Sequence, residues 1–464
     1  MLSRVTRRTR WSLLALGLVG LGLLSLGGWS STAWAGSALL RNSAVGGVSI
    51  SVDGVLSETP AEVVGQSRQS WEEFLKGAPG GMQGATEIRK VSVRGLEHAL
   101  AEAVQQGGEV PESVRFLGGL QRIQYVMVYP AADGKPGDIV LAGPAEGWQV
   151  DERGNVVGVT TRQPVLQLDD LLVALRSVRA AKEGAVNCSI DPTPEGVQNV
   201  QRLLKQVGRS FSPEINQAIE QACGMQTISV DGVPETSHFA RVMVAADYRM
   251  KRIAMGLDDS SVDGLPSYLQ ILKTSRARIN ESVQPRWWLA CNYQPLSRSE
   301  DGLAWQLRGP GVKVMTEENH INGDGSITAS SGRANPLAQK WADQMTNVYD
   351  QLAQRELIFA ELRNIMDLSV VAALIEKEGL ADKAGLKQLP NLLHDATPDS
   401  YHAPKTLATQ CAIVKRNGGY VFMASGGVQI DSWQATEQAE VNASLGELHA
   451  KARSTDNATD WWWN

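Results

Sequence analysis

The sequence lacks the short motifs by which the common enzyme classes are recognised. It contains no P-loop, no G-x-S-x-G nucleophile elbow, no H-E-x-x-H zinc motif and no dinucleotide-binding fingerprint. No cofactor is therefore indicated. A catalytic site in this chain would have to be assembled from residues that are distant in sequence.

A block of basic residues is also missing. The 464 residues carry a formal charge of −6, with acidic and basic side chains mixed along the chain. Because nucleic acids and anionic lipids are bound through clustered Lys and Arg, this composition predicts no nucleic-acid partner.

Cysteine is scarce. The chain has four, Cys188, Cys223, Cys291 and Cys411, in spacings that match no zinc site and no disulfide framework. Each lies among apolar residues, where a free thiol behaves as a small buried hydrophobe. We expect buried free thiols, with two disulfides as the alternative.

Long apolar runs are confined to the N-terminus. Four arginines precede an apolar run over residues 11–26, and the small-residue site Ala33-Trp34-Ala35 follows it. This order is typical of a secretory signal peptide, here residues 1–35, cleaved after Ala35. We therefore predict an exported protein, periplasmic or secreted, whose mature chain has no membrane span. An uncleaved anchor is the alternative, and general or twin-arginine export stays open.

One segment occurs twice, which indicates an internal duplication. Ile50–Val55 recurs unchanged as Ile228–Val233, and the strand-like Val126–Val128 is echoed by Val242–Val244. The fold class is predicted as α+β, with two related units of short strands, hairpins and helices, followed by a long helical pattern. The predicted division is 36–208 for the first unit, 209–317 for the second, 318–335 for a flexible loop, 336–396 for a helical segment and 397–464 for a C-terminal strand pair and tail.

The run from Asp247 to Arg252 follows a strand-like segment, and we predict that it connects two strands of a hairpin. Arg249, Lys251 and Arg252 could together hold a carboxylate or a phosphate, since Arg binds such groups through paired hydrogen bonds. In the alternative, Asp247 pairs with a neighbouring arginine and the charges only solvate the turn.

Cys188 is the strongest candidate nucleophile. It lies in a predicted strand, just before a helix that Thr193 would cap, and a helix N-terminus stabilises a thiolate. His238 as base and Asp247 complete the candidate catalytic set. The alternative is a cysteine packed in a strand of the core.

Two further groups carry weaker signals. Asp259 and Asp263 have the spacing that opens a calcium loop, but the twelfth position is Gln rather than Glu, so a turn is the alternative. Trp287 and Trp288 are candidate contact residues for a partner. The tryptophan run at 461–463 either presents such a surface or docks on the body.

Several motifs are long enough for comparison with known families, namely Leu120–Val126, Gly143–Trp148, Gln167–Asp170, Ser189–Glu195, Ala246–Arg252, Pro285–Trp288 and Ser425–Val428. They resemble a family of exported planctomycete-type bacterial proteins that is catalogued as a domain of unknown function. The similarity covers the chain from about Glu87 to Trp433. It implies export, and it implies no reaction, cofactor or catalytic residue.

The residues favour a non-enzymatic envelope or secreted protein, which binds an unknown macromolecular partner or has a structural role. The alternative is a cell-envelope hydrolase whose site is assembled around His238 and Asp247–Arg252. The two hypotheses differ in geometry, because a hydrolase needs a cleft in which His238 lies within hydrogen-bond reach of a nucleophile.

Overall fold

The computed structural model describes residues 44–106, 110–132, 134–207, 213–276, 283–322, 327–329, 334–386, 389–395, 400–414, 420–422, 424–454 and 461–464. These residues belong to one compact unit. Helices and mixed sheets build it together, which confirms the predicted α+β class. The predicted signal peptide and its cleavage site at Ala35 lie outside the described residues.

The strands are β1 (Val48–Ile50), β2 (Val55–Glu58), β3 (Thr86–Ser92), β4 (Tyr125–Tyr129), β5 (Asp138–Ala145), β6 (Trp148–Val150), β7 (Val156–Gly158), β8 (Val186–Pro192), β9 (Met225–Asp231), β10 (Val283–Asn292), β11 (Leu296–Arg298), β12 (Ala304–Gln306), β13 (Gly311–Ile321), β14 (Ile327–Ala329), β15 (Thr406–Ala408), β16 (Ala412–Val414), β17 (Tyr420–Phe422), β18 (Ser425–Ile430), β19 (Ala439–Val441) and β20 (Trp462–Trp463).

The α-helices are α1 (Ala61–Phe74), α2 (Val93–Gln106), α3 (Glu112–Arg115), α4 (Leu168–Gly184), α5 (Pro194–Val207), α6 (Pro213–Cys223), α7 (His238–Met255), α8 (Tyr268–Thr274), α9 (Pro336–Asn347), α10 (Tyr349–Arg355), α11 (Leu357–Lys377), α12 (Leu380–Ala384), α13 (Ser432–Ala435) and α14 (Ala443–Ser454). In the described part of the chain, no helix is both long and apolar enough to cross a bilayer.

Two large sheets organise the molecule. The first has nine strands in the order β1-β2-β15-β9-β8-β18-β10-β13-β14, and the second has seven in the order β19-β11-β12-β4-β5-β3-β20. Each sheet takes strands from both of the predicted units. Helix α7 packs on β8 and β18 near the middle of the first sheet, and it is buried along almost its whole length.

The two copies of the repeated hexapeptide share only part of their local structure, because the first turns from β1 into β2 at residues 51–54 and the second continues strand β9 to Asp231. A strand leads into each copy, and the glycines Gly54 and Gly232 have φ angles of 85° and 86°, which a residue with a Cβ atom rarely adopts. The second repeated segment has a different structure in its two places. Val126–Val128 lies in strand β4, whereas Val242–Val244 lies in the middle of helix α7. The expectation of a second strand there was wrong.

Local start signals were read well. Helix α5 begins at Pro194, directly after the predicted cap Thr193, and the long helical pattern breaks into α9, α10 and α11. The predicted loop at 318–335 is strand over part of its length, since β13 ends at Ile321 and β14 follows. Strands β10 and β12 do not pair with each other, because they belong to different sheets.

Candidate functional site

The charged run from Asp247 to Arg252 lies inside helix α7 and is not a hairpin connection. The segment has no internal Gly or Pro, the Ser237 side chain accepts a hydrogen bond from the Ala240 amide, and Gly256 ends the helix in the left-handed conformation. Helical spacing then sends the charges to different faces, because residues four apart are neighbours and residues two apart are not.

Asp247 and Lys251 lie four residues apart and form a buried ion pair. The Lys251 ammonium donates to the Asp247 carboxylate at 2.8 Å, to the Ile190 carbonyl oxygen at 2.7 Å and to the Gly426 carbonyl oxygen at 3.2 Å. All three of its donors are used, and they join the helix to strands β8 and β18. Lys251 therefore links α7 to the sheet through hydrogen bonds within the protein.

Cys188 lies on β8 beside this pair, and it is buried. Burial, together with the nearby Asp247 carboxylate, raises the pKa of the Cys188 thiol well above its ordinary value. A protonated buried thiol is a poor nucleophile. The prediction of free thiols is confirmed for all four cysteines, of which Cys291 is half-buried and the others are buried.

His238 opens helix α7 and is also buried. Its Nδ1 lies 3.0 and 3.1 Å from the two Asp170 oxygens, and its Nε2 lies 3.3 Å from the Gln167 amide nitrogen. Burial opposes a charged imidazole, but the Asp170 carboxylate outweighs burial and raises the pKa of His238 to about 9. His238 is thus a charged donor near neutral pH, and its hydrogen-bond partners among the described residues include no nucleophile.

A cavity of about 480 Å³ lies beside the second half of α7. It is lined by five separate segments, with residues Ala44, Gly46, Gly47, Val48, Glu58, Thr59, Val64, Arg153, Asn155, Tyr248, Arg249, Arg252, Asp258, Ser261, Arg355, Glu356, Leu357 and Ile358. Its size is in the range of small-molecule sites, about 300–1,000 Å³. Four lining residues are arginines, and we call this cavity the arginine pocket.

Two of these arginines, Arg249 and Arg252, were binding candidates from the sequence. Arg249 donates two hydrogen bonds to Glu356, at 2.5 and 3.1 Å, and one to Asp258 at 2.6 Å. Arg252 donates two to Asp258, at 2.7 and 2.6 Å, and lies 2.9 Å from Glu58. The hydrogen bond from Arg252 holds the pKa of Asp258 below its ordinary value, so the carboxylate stays charged. These arginines brace the pocket wall.

The other two arginines have no carboxylate partner in the described part of the chain. Arg355, at the junction of α10 and α11, donates to the Ser261 carbonyl oxygen at 2.5 Å. Arg153 lies in the exposed turn between β6 and β7, where its backbone N–H donates to Asp151 at 2.8 Å and its guanidinium group has no carboxylate partner among the described residues. Four arginines therefore face three lining carboxylates, which leaves the pocket with one net positive charge.

Sequence reasoning missed both of these residues. Arg153 stands in a polar turn and Arg355 at a break between helices, two settings in which charged side chains are common. The one usable signal is the polar, glycine-containing stretch at residues 151–155, which is typical of a turn, and nothing local connects it to Arg355, about 200 residues later in the chain.

The tryptophan candidates divide between core and surface. Trp287 is fully buried against Tyr268 and Trp341, with ring centroids 4.9 and 5.1 Å apart. Trp288 is half-buried, with the Arg286 guanidinium 5.8 Å from its ring centroid. The run at 461–463 docks on the body, where β20 pairs with β3. These tryptophans do not frame an open apolar surface.

The calcium candidates lie in the loop after α7. The backbone oxygen of Asp259 accepts a hydrogen bond from Arg249 at 3.1 Å, and Asp263 is exposed in the turn that follows. Nowhere in the described ranges do three or more His, Cys, Asp or Glu side chains group so as to hold a metal ion.

A family model described as "Protein of unknown function (DUF1598)" matches residues 188–268. No curated protein matches the chain, and neither does any solved structure. The matched segment runs from β8 to the start of α8 and contains the whole of α7. It therefore holds Arg249, Arg252 and Asp258 of the arginine pocket, while Arg153 and Arg355 lie outside it.

Proposed function

We propose that this is an exported, non-enzymatic binding protein, and that the arginine pocket holds an acidic group of its ligand. The observation that carries the proposal is that two residues lining the cavity, Arg153 and Arg355, have guanidinium groups without a carboxylate partner among the described residues. Guanidinium groups bind carboxylate and phosphate through paired, charge-assisted hydrogen bonds. The acidic group could belong to a small molecule or to a macromolecule of the cell envelope.

The braced arginines support the same function. Because Asp258 and Glu356 hold Arg249 and Arg252 in place, the pocket wall needs little reorganisation when an anion enters. Apolar side chains, among them Val48, Val64 and Ile358, line the rest of the cavity and suit an uncharged ligand body.

The test is calorimetric titration of the chain from residue 36 onward with citrate and with pyrophosphate, two small anions that need no further recognition. We expect binding by the unchanged protein, and affinity weakened about tenfold or more in Arg153→Gln and in Arg355→Gln, since each loses charge-assisted hydrogen bonds. Arg179→Gln is the matched control, because Arg179 is an exposed arginine of α4 that pairs with Glu376. Equal affinity in all four proteins would contradict the proposal.

A hydrolase built on His238 has weaker support. Such an enzyme needs His238 as a neutral base beside a nucleophile, whereas here the imidazole is paired with Asp170 and buried.

Export rests on the N-terminal pattern alone. It is tested by fusing residues 1–35 to a reporter enzyme that is active only outside the cytoplasm, with the arginines before Trp11 changed to Glu as the control.

A further inference from the structure

Helix α1 forms one side of the arginine pocket through Val64, and it is the most loosely held long helix beside it. None of its 14 residues is buried. Its inward side chains are only half-buried, and they are Val63, Val64, Ser67, Ser70, Trp71 and Phe74. Since most helix stability in proteins comes from packing an apolar face, this helix gains little from the body.

The local sequence of α1 adds little stability. Its N-cap residue is Pro60, which makes no side-chain capping bond, and Gly65 lies in its interior. A mid-helix Gly is less favourable than Ala, because its backbone loses more conformational freedom when the helix forms. Isolated helices of about 14 residues are marginal in water even with good helix formers.

The two ends of α1 are held differently. At the C-terminal end Trp71 packs on Phe116, with ring centroids 6.3 Å apart, and the Arg115 guanidinium lies 5.6 Å from the Phe74 ring centroid. At the middle the helix approaches Gly154 closely, because a Cβ atom there would lie 3.1 Å from the Arg68 backbone nitrogen and 3.2 Å from the Ser67 hydroxyl. Gly154 belongs to the turn that carries Arg153. The helix thus has an aromatic anchor at one end and rests on the ligand-binding turn.

We propose that α1 is a lid of the arginine pocket, which lifts from the turn between β6 and β7 to admit the ligand and closes beside Arg153. Segments with few buried apolar contacts open at a small fraction of the global unfolding free energy. The Trp71–Phe74 end stays docked and acts as the pivot. This inference rests on the proposed function, since a lid requires a pocket that is used.

The experiment joins the lid to the turn. In the double variant Ser67→Cys, Gly154→Cys, oxidised glutathione closes a disulfide by thiol–disulfide exchange, and the two thiols pass two electrons and two protons to it. The oxidised and reduced forms share the same strained backbone at residue 154, so their comparison isolates the bond. We expect the association rate constant for pyrophosphate to fall at least tenfold on oxidation and to recover with dithiothreitol. Ser67→Cys alone, treated identically, controls for the native thiols.

A second variant moves the lid in the opposite direction. Trp71→Ala weakens the anchor, so the α1 amides should exchange hydrogen at least tenfold faster than in the unchanged protein, while those of α7 stay slow. Pyrophosphate should slow the α1 amides of the unchanged protein. If the oxidised form binds as fast as the reduced form, or if the α1 amides of the free protein exchange as slowly as those of α7, α1 is no lid. If neither form binds citrate or pyrophosphate, the proposed function fails and the lid fails with it.

Discussion

Helix α7 carries two sets of charged side chains that differ in what surrounds them. Asp247 and Lys251 face the sheet, where they are buried and paired with each other, and His238 at the start of the helix is buried against Asp170. Arg249 and Arg252 face the arginine pocket, where carboxylates hold them in place. Both sets come from one continuous stretch of sequence.

The comparison of these two sets shows that solvent access decides whether each charged side chain needs a partner of opposite charge. A buried charge without a partner costs several kcal/mol, so the sheet-facing lysine uses all its donors. Around the pocket, water and counter-ions screen the excess positive charge. Arg153 and Arg355 can therefore remain without a carboxylate partner among the described residues. Unbalanced charge at a solvent-accessible cavity is thus the feature that distinguishes the proposed binding site from the buried ion pairs.

The largest effect is expected when the buried cation, the Lys251 ammonium, is removed. Lys251→Met should lower the free energy of unfolding by about 3–5 kcal/mol, because it leaves the Asp247 carboxylate buried without a partner. Urea unfolding measures the change. Lys273→Met, at an exposed position of α8, is the matched control and should change stability by less than about 0.5 kcal/mol. A loss below 1 kcal/mol at residue 251 would mean that the pair is not structural.

The pH dependence of the unchanged protein tests the buried set as a whole. Burial raises the pKa of Asp247 to about 6 and that of Glu361 to about 7, and Asp170 raises that of His238 to about 9. Each group binds its proton more tightly in the folded state, so its contribution is complete at low pH and is lost as the pH rises through the raised value.

We therefore expect the free energy of unfolding to fall by at least about 3 kcal/mol between pH 5 and pH 9, since one pKa unit is worth about 1.4 kcal/mol. Carboxyl groups with lowered pKa values, such as Asp258 and Asp301, act in the opposite direction, but only below about pH 4. Urea midpoints at each pH give the curve. Stability that is constant or rising over this range would contradict the account.

Asp170→Asn tests the His238 pair alone. At pH 7 it should lower stability by about 2 kcal/mol, because the buried imidazole loses the carboxylate that keeps it charged. The penalty should disappear above about pH 9, where His238 is neutral in both proteins. Asp343→Asn, at an exposed position of α9, serves as control, and a penalty that is the same at pH 7 and pH 10 would point to packing rather than charge.

The pocket arginines should show the smallest effect on stability. Arg153→Gln and Arg355→Gln should each change the free energy of unfolding by less than about 0.5 kcal/mol, since neither is part of a carboxylate pair. The stability measurements use the same preparations as the anion titrations. Together they would show that anion binding depends on the pocket arginines, whereas folding depends on the buried charges of α7. A loss of unfolding free energy as large as that expected for Lys251→Met would mean that the pocket arginines are as structural as the buried ion pair.

Much of the local structure could be predicted from sequence, whereas α7 could not. Thr193-Pro194 marks a helix start through chemistry within a few residues, and α5 begins at the proline. In contrast, α7 is buried on nearly every side, so apolar residues follow one another without polar interruption over Val242–Val244, which read as a strand. The Ser237 cap and Gly256 were the signals that could have corrected this.

The sequence by itself determined the α+β class, the turns with their glycines and the start of α5 at Pro194. These features depend on a residue's own conformational preferences and on neighbours a few positions away. Only the tertiary structure decided which charged side chains form ion pairs and which have no partner of opposite charge among the described residues. The arginine pocket draws on segments between Ala44 and Ile358, and whether a guanidinium there meets a carboxylate depends on distances of a few ångströms between chain segments far apart in sequence.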